Sequence, residues 1–320
     1  MDRDIQQSRS RLEFLDALRG LAALYVVVFH MLAMPDPHLP APSALAGIAG
    51  FGGSGVALFF LMSAFSLCYT MPRHLASEVG VASFYLHRIF RIAPLLFFWL
   101  VLMVATDALR SPHRYSLVEV AANLTLIYNL IPTWQPGIVT ASWTVGVEML
   151  FYAVFPVIFA IVRSVRSAVA ALFLSSATWW LCLQFGGDAL AHLTGPMGVL
   201  FQLPVFMAGM LCFALWRSEA LASGTAQERF VGIALTAVGC TGIVALAEGW
   251  LGPLTFAQNW YVVAACYGLV LLGLSQVPLT LFINRCTRHL GTLSYSIYLA
   301  HPVVISRLHG LYAWAYGPPP

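Results

Sequence analysis

An arginine and a histidine stand eleven residues apart in the first apolar segment, Arg19-Gly-Leu-Ala-Ala-Leu-Tyr-Val-Val-Val-Phe-His30. On a helix that spacing brings both side chains to within about 20° of each other, roughly 16 Å apart along the axis. An imidazole can take a proton from a hydroxyl near neutral pH, and a guanidinium can hold an anion or steady a developing negative charge. The segment 15–34 is long enough to cross a bilayer, where an ionisable side chain costs at least ~2.5 kcal/mol unless something pairs or uses it. Two readings stay open. Arg19 and His30 are site residues, or Arg19 snorkels to the headgroups and pairs with Asp16 at i−3 while His30 sits at the far interface.

Four further stretches put polar chemistry into apolar sequence. Ser142-Trp143-Thr-Val-Gly-Val-Glu148 opens a second apolar helix and places Glu148 about a turn and a half inside it. A carboxylate beside an imidazole holds its tautomer and stabilises the imidazolium, so Glu148 and His30 make a general base if the fold joins them. The alternative for Glu148 is a structural hydrogen bond or a solvated helix-start carboxylate. Arg88 and Arg91, in Phe84-Tyr-Leu-His-Arg88-Ile-Phe-Arg91, share a helical face and offer forked donors suited to phosphate or pyrophosphate; topological anchoring explains the same pair. Five glycines between positions 47 and 55 permit close helix approach or an irregular backbone lining a substrate. His301, in Ser294-Tyr-Ser-Ile-Tyr298-Leu-Ala-His301-Pro302, is another ionisable group in an apolar block, and Pro302 frees a carbonyl one turn earlier. The remaining histidines, including His38, His74, His113 and His192, are expected in loops.

These side chains need elements to hold them, and the composition says which. Of 320 residues 60% are apolar and 9% charged, and the apolar residues come in long blocks without period-2 alternation. The fold class is therefore an all-α polytopic membrane bundle, since lipid satisfies no open backbone and the blocks do not read as barrel strands. Blocks run approximately 14–34, 50–71, 89–106, 118–134, 143–162, 168–185, 197–216, 230–247, 258–275 and 289–311, which gives nine to ten spans. Residues 35–42, 132–137 and 186–198 read as loops, and the chain reads as one domain, 1–320, without an internal repeat. Residues 1–13 are too polar to open a cleaved signal peptide and are expected on the cytoplasmic side.

The formal charge of +3 arises from sixteen arginines and no lysine, placed singly or in pairs at block ends. That pattern marks topology and excludes a nucleic-acid-binding patch. With ten spans and an inner N-terminus, the pairs Arg110/Arg114, Arg163/Arg166, Arg217/Arg229 and Arg285/Arg288 would all lie outside. If 118–134 is instead re-entrant or interfacial, nine spans remain and three of the four pairs turn inward. Cys68, Cys182, Cys212, Cys240, Cys266 and Cys286 show no metal-ligand spacing and read as core filler, so no metal site is expected.

Taken in order, the motifs resemble the acyltransferase 3 family of integral membrane acyltransferases, which modify sugars of surface and exported glycans. Arg19 and His30 match its R-x10-H. The stretch 53–65 resembles its glycine-rich FFxxSGF, and Arg88 and Arg91 match its RxxR. WTVGVEMLFY at 143–152 resembles WSLSVEEqFY, and LGTLSYSIYLAHP at 290–302 resembles LGxxSYxxYLxHxP. Ala64, Met149 and Ala300 depart from the family's glycine, second glutamate and tryptophan, and these changes bear on acceptor and acyl choice. Members usually continue into another apolar helix after YLxH, so the final family helix is expected to be missing from this sequence.

The resemblance implies transfer of an acyl group, acetyl foremost, from cytoplasmic acyl-CoA as co-substrate to a hydroxyl of a glycan or lipid-linked saccharide, with no tightly bound cofactor. It implies His30, Glu148 and Arg19 as catalytic candidates and Arg88 and Arg91 as the grip on acyl-CoA. Ser63, Trp143, Tyr298 and His301 are the candidates for lining the substrate site. The setting it implies is the bacterial inner (plasma) membrane, crossed many times, with the N-terminus in the cytoplasm. The rival class is a secondary transporter or flippase using intramembrane Arg, His and Glu as a relay, though no matched pair of interrupted helices is visible.

Overall fold

The computed structural model describes residues 2–35, 39, 41–109, 114–218 and 226–316. His38, Arg110, His113 and 317–320 lie outside the described residues. Among the described residues the regular elements are all helical. In chain order they are α1 (Asp2–Ala33), α2 (Ala46–Gly50), α3 (Gly55–Leu75), α4 (Val81–Ala108), α5 (Leu117–Leu124), α6 (Trp143–Ile161), α7 (Val165–Phe185), α8 (Gly187–Thr194), α9 (Val199–Arg217), α10 (Ala226–Ala247), α11 (Phe256–Gln276), α12 (Arg285–Arg307) and α13 (His309–Tyr316).

Local chemistry accounts for several of the boundaries. Asn284 caps α12, its side-chain oxygen accepting from the backbone N–H of Cys286 and Thr287 while Thr287 answers the Asn284 N–H. Ser164 with Ser167 and Thr255 with Gln258 build the same reciprocal cap on α7 and α11. Pro72, Pro94, Pro156, Pro204 and Pro302 all lie inside helices, as spanning helices tolerate when side chains satisfy the freed carbonyls.

Eight stretches among the described residues are long and apolar enough to cross a membrane: Glu13–Ala33, Ser43–Leu75, Val81–Ala108, Trp143–Ile161, Val165–Phe185, Val199–Arg217, Arg229–Ala247 and Phe256–Gln276. The protein is a multi-pass membrane protein, and Phe98, Val101, Val157, Phe173 and Val238 turn outward as lipid-facing residues do. Block 118–134 supplies only the two turns of α5 followed by 3-10 turns at Tyr128–Leu130 and Pro132–Trp134. Block 289–311 becomes α12, with 23 residues, and then α13. α12 is long enough to cross, but His289, His301 and the serines, threonines and tyrosines along it keep it out of the apolar eight. The stretch 186–198, expected as loop, winds into α8, so His192 is helical; His74 likewise belongs to the last turn of α3.

The chain divides into two compact units, residues 1–63 with 212–320 and residues 64–211. In the first unit α1 packs on α12 through glycine. A Cβ on Gly20 would meet Gly291 N at 2.8 Å, and one on Gly291 would run into the Asp16 carbonyl. α10 and α11 run antiparallel on the same kind of seam, with Gly232 against Gln276 and Gly239 against Cys266. In the second unit aromatic rings join the helices: Phe84 of α4 on Phe155 of α6 at 5.5 Å, and Phe151 of α6 stacked on Phe206 of α9 at 4.1 Å.

Candidate active site

In the first unit α1 and α12 run side by side in constant register. Gly20 meets Gly291, and ten residues further along each helix His30 meets His301. His301 Nε2 lies 3.2 Å from His30 Nδ1, with ring centroids 4.8 Å apart. His30 Nδ1–H donates to the Val26 carbonyl at 2.9 Å. Both Nδ1 atoms of the pair therefore carry their protons toward backbone oxygens, because His301 Nδ1–H donates to the Tyr298 carbonyl at 2.5 Å. On His30 this leaves Nε2 as the basic nitrogen of a partly exposed ring, while His301 is buried.

Aromatic rings surround the pair. Phe29 meets His30 edge-on at 4.9 Å, Tyr298 lies 5.5 Å from His301, and Phe59 packs on Tyr298 at 5.5 Å. Ser63 is buried one helical turn along α3 from Phe59. The glycine-rich stretch packs on α1: Gly52 lies against Tyr25 and Phe29, and Gly55 against Ala22 and Val26. Tyr25 Oη donates to the Ile48 carbonyl at 2.7 Å, and Ser54 Oγ shares a 2.8 Å hydrogen bond with Tyr267 Oη.

Arg19 sits at the opposite end of the α1–α12 pair. Its Nη1 reaches Asp16 Oδ1 at 3.1 Å, the i−3 pairing open in the sequence, and Glu13 pairs with Arg288 nearby. Charge thus collects where the middle of α1 meets the start of α12, and imidazole lies ten residues beyond the glycine contact.

The second unit holds Arg88, Arg91, Trp143 and Glu148. Arg88 and Arg91 diverge: Arg88 is 8% exposed, its guanidinium 5.8 Å from the ring centres of both Phe84 and Tyr152, whereas Arg91 is exposed. Arg88 Nε is buried without a hydrogen-bond partner. Tyr152, one turn after Glu148 on α6, donates its hydroxyl to the Glu148 carboxylate. A guanidinium, a phenol and a carboxylate so follow one another in this unit. Trp143 is the first residue of α6.

Just before α6, Tyr128 Oη donates to the Ser142 carbonyl at 2.6 Å, and Asn123 Oδ1 accepts from the Ile138 N–H. Burial pushes the Tyr128 phenol well above its ordinary range, against the opposing pull of its hydrogen bond to Ser142. Asn129 donates to the Met197 carbonyl, and Gln135 to that of His192, so the 118–134 block is tied to the start of α9 and to α8.

Sequence reasoning did not single out Tyr152 as a site residue, and the i, i+4 step from Glu148 is the signal that identifies it. The sequence also offers His301 as a lining residue of the substrate site, and the structure places that ring beside His30.

Comparison with known proteins identifies the family. Residues 12–314 match the family described as the acyltransferase domain, acyltransferase 3. The chain is 27% identical to acyltransferase MdmB of Streptomyces mycarofaciens, across 94% of this chain and 81% of that protein. It is 26% identical to the putative membrane-bound transacylase BcsY of Komagataeibacter xylinus, across 92% and 72%. With the exopolysaccharide production protein ExoZ of Rhizobium meliloti (strain 1021) it shares 28% identity across 80% and 77%. No solved structure matches the chain. A multi-pass helical chain that carries these polar residues in this order, and matches from residue 12 to residue 314, belongs to the acyltransferase 3 family and is a membrane acyltransferase.

Proposed function

We propose that the protein moves an acetyl group from cytoplasmic acyl-CoA to a hydroxyl of an exported glycan or glycoconjugate, in the bacterial inner membrane with its N-terminus in the cytoplasm. The observation that carries this reading is the state of His30. With Nδ1–H held by Val26, Nε2 is the nitrogen free to take a proton, and it lies on a spanning helix among aromatic side chains. The exopolysaccharide named for one relative supports a glycan as acceptor.

In the reaction His30 Nε2 removes the acceptor hydroxyl proton as the oxygen attacks the thioester carbonyl. The C–S bond then breaks, and the imidazolium returns the proton to the departing sulfur, giving ester and free CoA. Arg88 and Arg91 would hold CoA phosphates, and the unpartnered Nε of Arg88 suits an anion. Glu148 would serve as the carboxylate of the reaction, and Arg19 would guide the pantetheine arm toward His30. Ser63 and Trp143 would line the path of the acceptor.

The test is transfer of radiolabelled acetyl from acetyl-CoA to the glycan fraction of membranes containing wild type or His30→Ala. Incorporation should fall on the order of 100-fold or more in the variant, the scale of a lost general base. Equal incorporation by both would overturn the role of His30. Folded wild type that moves glycan without consuming acetyl-CoA would turn the reading to transport.

A further inference from the structure

The helix at His301 has a defect and a repair. Pro302 has no N–H, so the Tyr298 carbonyl four residues earlier loses its helical donor. His301 Nδ1–H takes that place at 2.5 Å. The repair fixes the ring's tautomer: with the proton on Nδ1, Nε2 carries a lone pair and can only accept. That lone pair lies 3.2 Å from His30 Nδ1, whose proton thus has two acceptors, the Val26 carbonyl and the His301 ring.

We propose that His301 is a positioning residue for acyl transfer, a neutral imidazole doing for His30 what a carboxylate does for the histidine of a hydrolase triad. This inference rests on the reading of His30 as general base. As His30 Nε2 takes the acceptor hydroxyl proton, His30 Nδ1–H shifts toward His301 Nε2, and the positive charge spreads over two rings. When the thioester C–S bond breaks, the proton on His30 Nε2 passes to the CoA sulfur and Nδ1–H returns to its resting position. No proton is lost or gained by the pair over the cycle.

Three features favour this role over that of a simple helix contact. The acceptor state of His301 is imposed by Pro302 independently of His30. The Gly20–Gly291 contact sets the two helices close enough for the rings to meet. The rings of Tyr298 and Phe59 back the buried partner and keep it from turning away.

The experiment is steady-state acetyl transfer by purified wild type, His30→Ala, His301→Phe, His301→Gln and the double variant His30→Ala/His301→Phe. His301→Phe should lower kcat on the order of 100-fold with the KM for acetyl-CoA within about twofold, the signature of an interaction made in the transition state. His301→Gln, which keeps an acceptor oxygen, should run roughly tenfold faster than His301→Phe. The double variant should be no slower than His30→Ala alone, because residues acting as a unit are not additive. A His301→Phe kcat within about threefold of wild type, or a multiplicative loss in the double variant, overturns the inference. If His301→Phe does not elute as a folded species in detergent, His301→Asn, too short to place an acceptor at Nε2, takes its place with the same expected and overturning results. Transfer that needs His30 and ignores His301 refutes this inference alone; folded wild type without transfer refutes the parent reading as well.

Discussion

Gly20 of α1 lies backbone to backbone against Gly291 of α12, and this contact holds His30 opposite His301. A Cβ at Gly291 has no flexible side chain to displace, because what it meets is the main chain of Asp16. The helices can admit one only by separating.

Gly291→Ala should therefore lower the melting temperature of the detergent-solubilised protein, by an overpacking penalty of about 1–3 kcal/mol, and should abolish transfer. Thermal unfolding followed beside acetyl incorporation checks both. An unchanged melt with full activity would mean that the two helices are not held at this distance.

Pro302→Ala separates stability from chemistry. The new N–H gives the Tyr298 carbonyl its helical donor back, so the helix should be at least as stable, and interior proline costs about 3 kcal/mol in an ordinary helix. His301 then loses the need to donate from Nδ1, and kcat should fall by about fivefold, near the ~1 kcal/mol of one hydrogen bond. A higher melting temperature with undiminished kcat would show that the Tyr298 carbonyl does not govern the ring.

Tyr152 has two roles that two substitutions can split. Tyr152→Phe removes the donor to Glu148 and keeps the ring beside Arg88, and should cost about 1 kcal/mol of stability. Tyr152→Leu also loses the cation–π contact and should cost a further ~0.5–1 kcal/mol. Urea or thermal unfolding of both variants measures the difference, and equal stability would remove the ring contact from the account.

Arg88 and Arg91 should behave differently although they belong to one motif. Arg88→Ala empties a buried position between Phe84 and Tyr152 and should lower the melting temperature as well as raise the KM for acetyl-CoA. Arg91→Ala is exposed and should stay within about 0.5 kcal/mol of wild-type stability, so any effect on it should appear in KM alone. Matching losses of stability would contradict the different burial of the two side chains.

Most of the helical frame was legible, because long apolar blocks in a chain with 9% charged residues leave few alternatives. The weakness of 118–134 was legible too, since Glu119, Asn123 and Asn129 interrupt it, and it forms the short α5 and turns rather than a span. The freed carbonyl before Pro302 could be read from proline chemistry alone. The partner that repairs it and then faces His30 could not, because that contact joins residues 271 positions apart and depends on two glycines at the helix crossing. The RxxR spacing put both arginines on one face, yet about 60° still separates side chains at i and i+3, enough to bury Arg88 and expose Arg91. α12 reads as part of an apolar block because Leu290, Leu293, Ile297, Leu299 and 303–305 are apolar, although the arginines and histidines at both its ends and His301 make it more polar than the other spans.

The pairing of α1 with α12 also has a consequence in time. His30 of α1 and His301 of α12 are 271 positions apart, so α1 leaves the ribosome well before α12. Synthesis runs at about 5–20 residues per second, so the first imidazole is in place roughly 15–50 seconds before its partner is made. Through that interval the apolar spans between α1 and α12 can be inserted while the two-ring unit does not exist. Docking of α12 against α1 is then the step that brings the two imidazoles together.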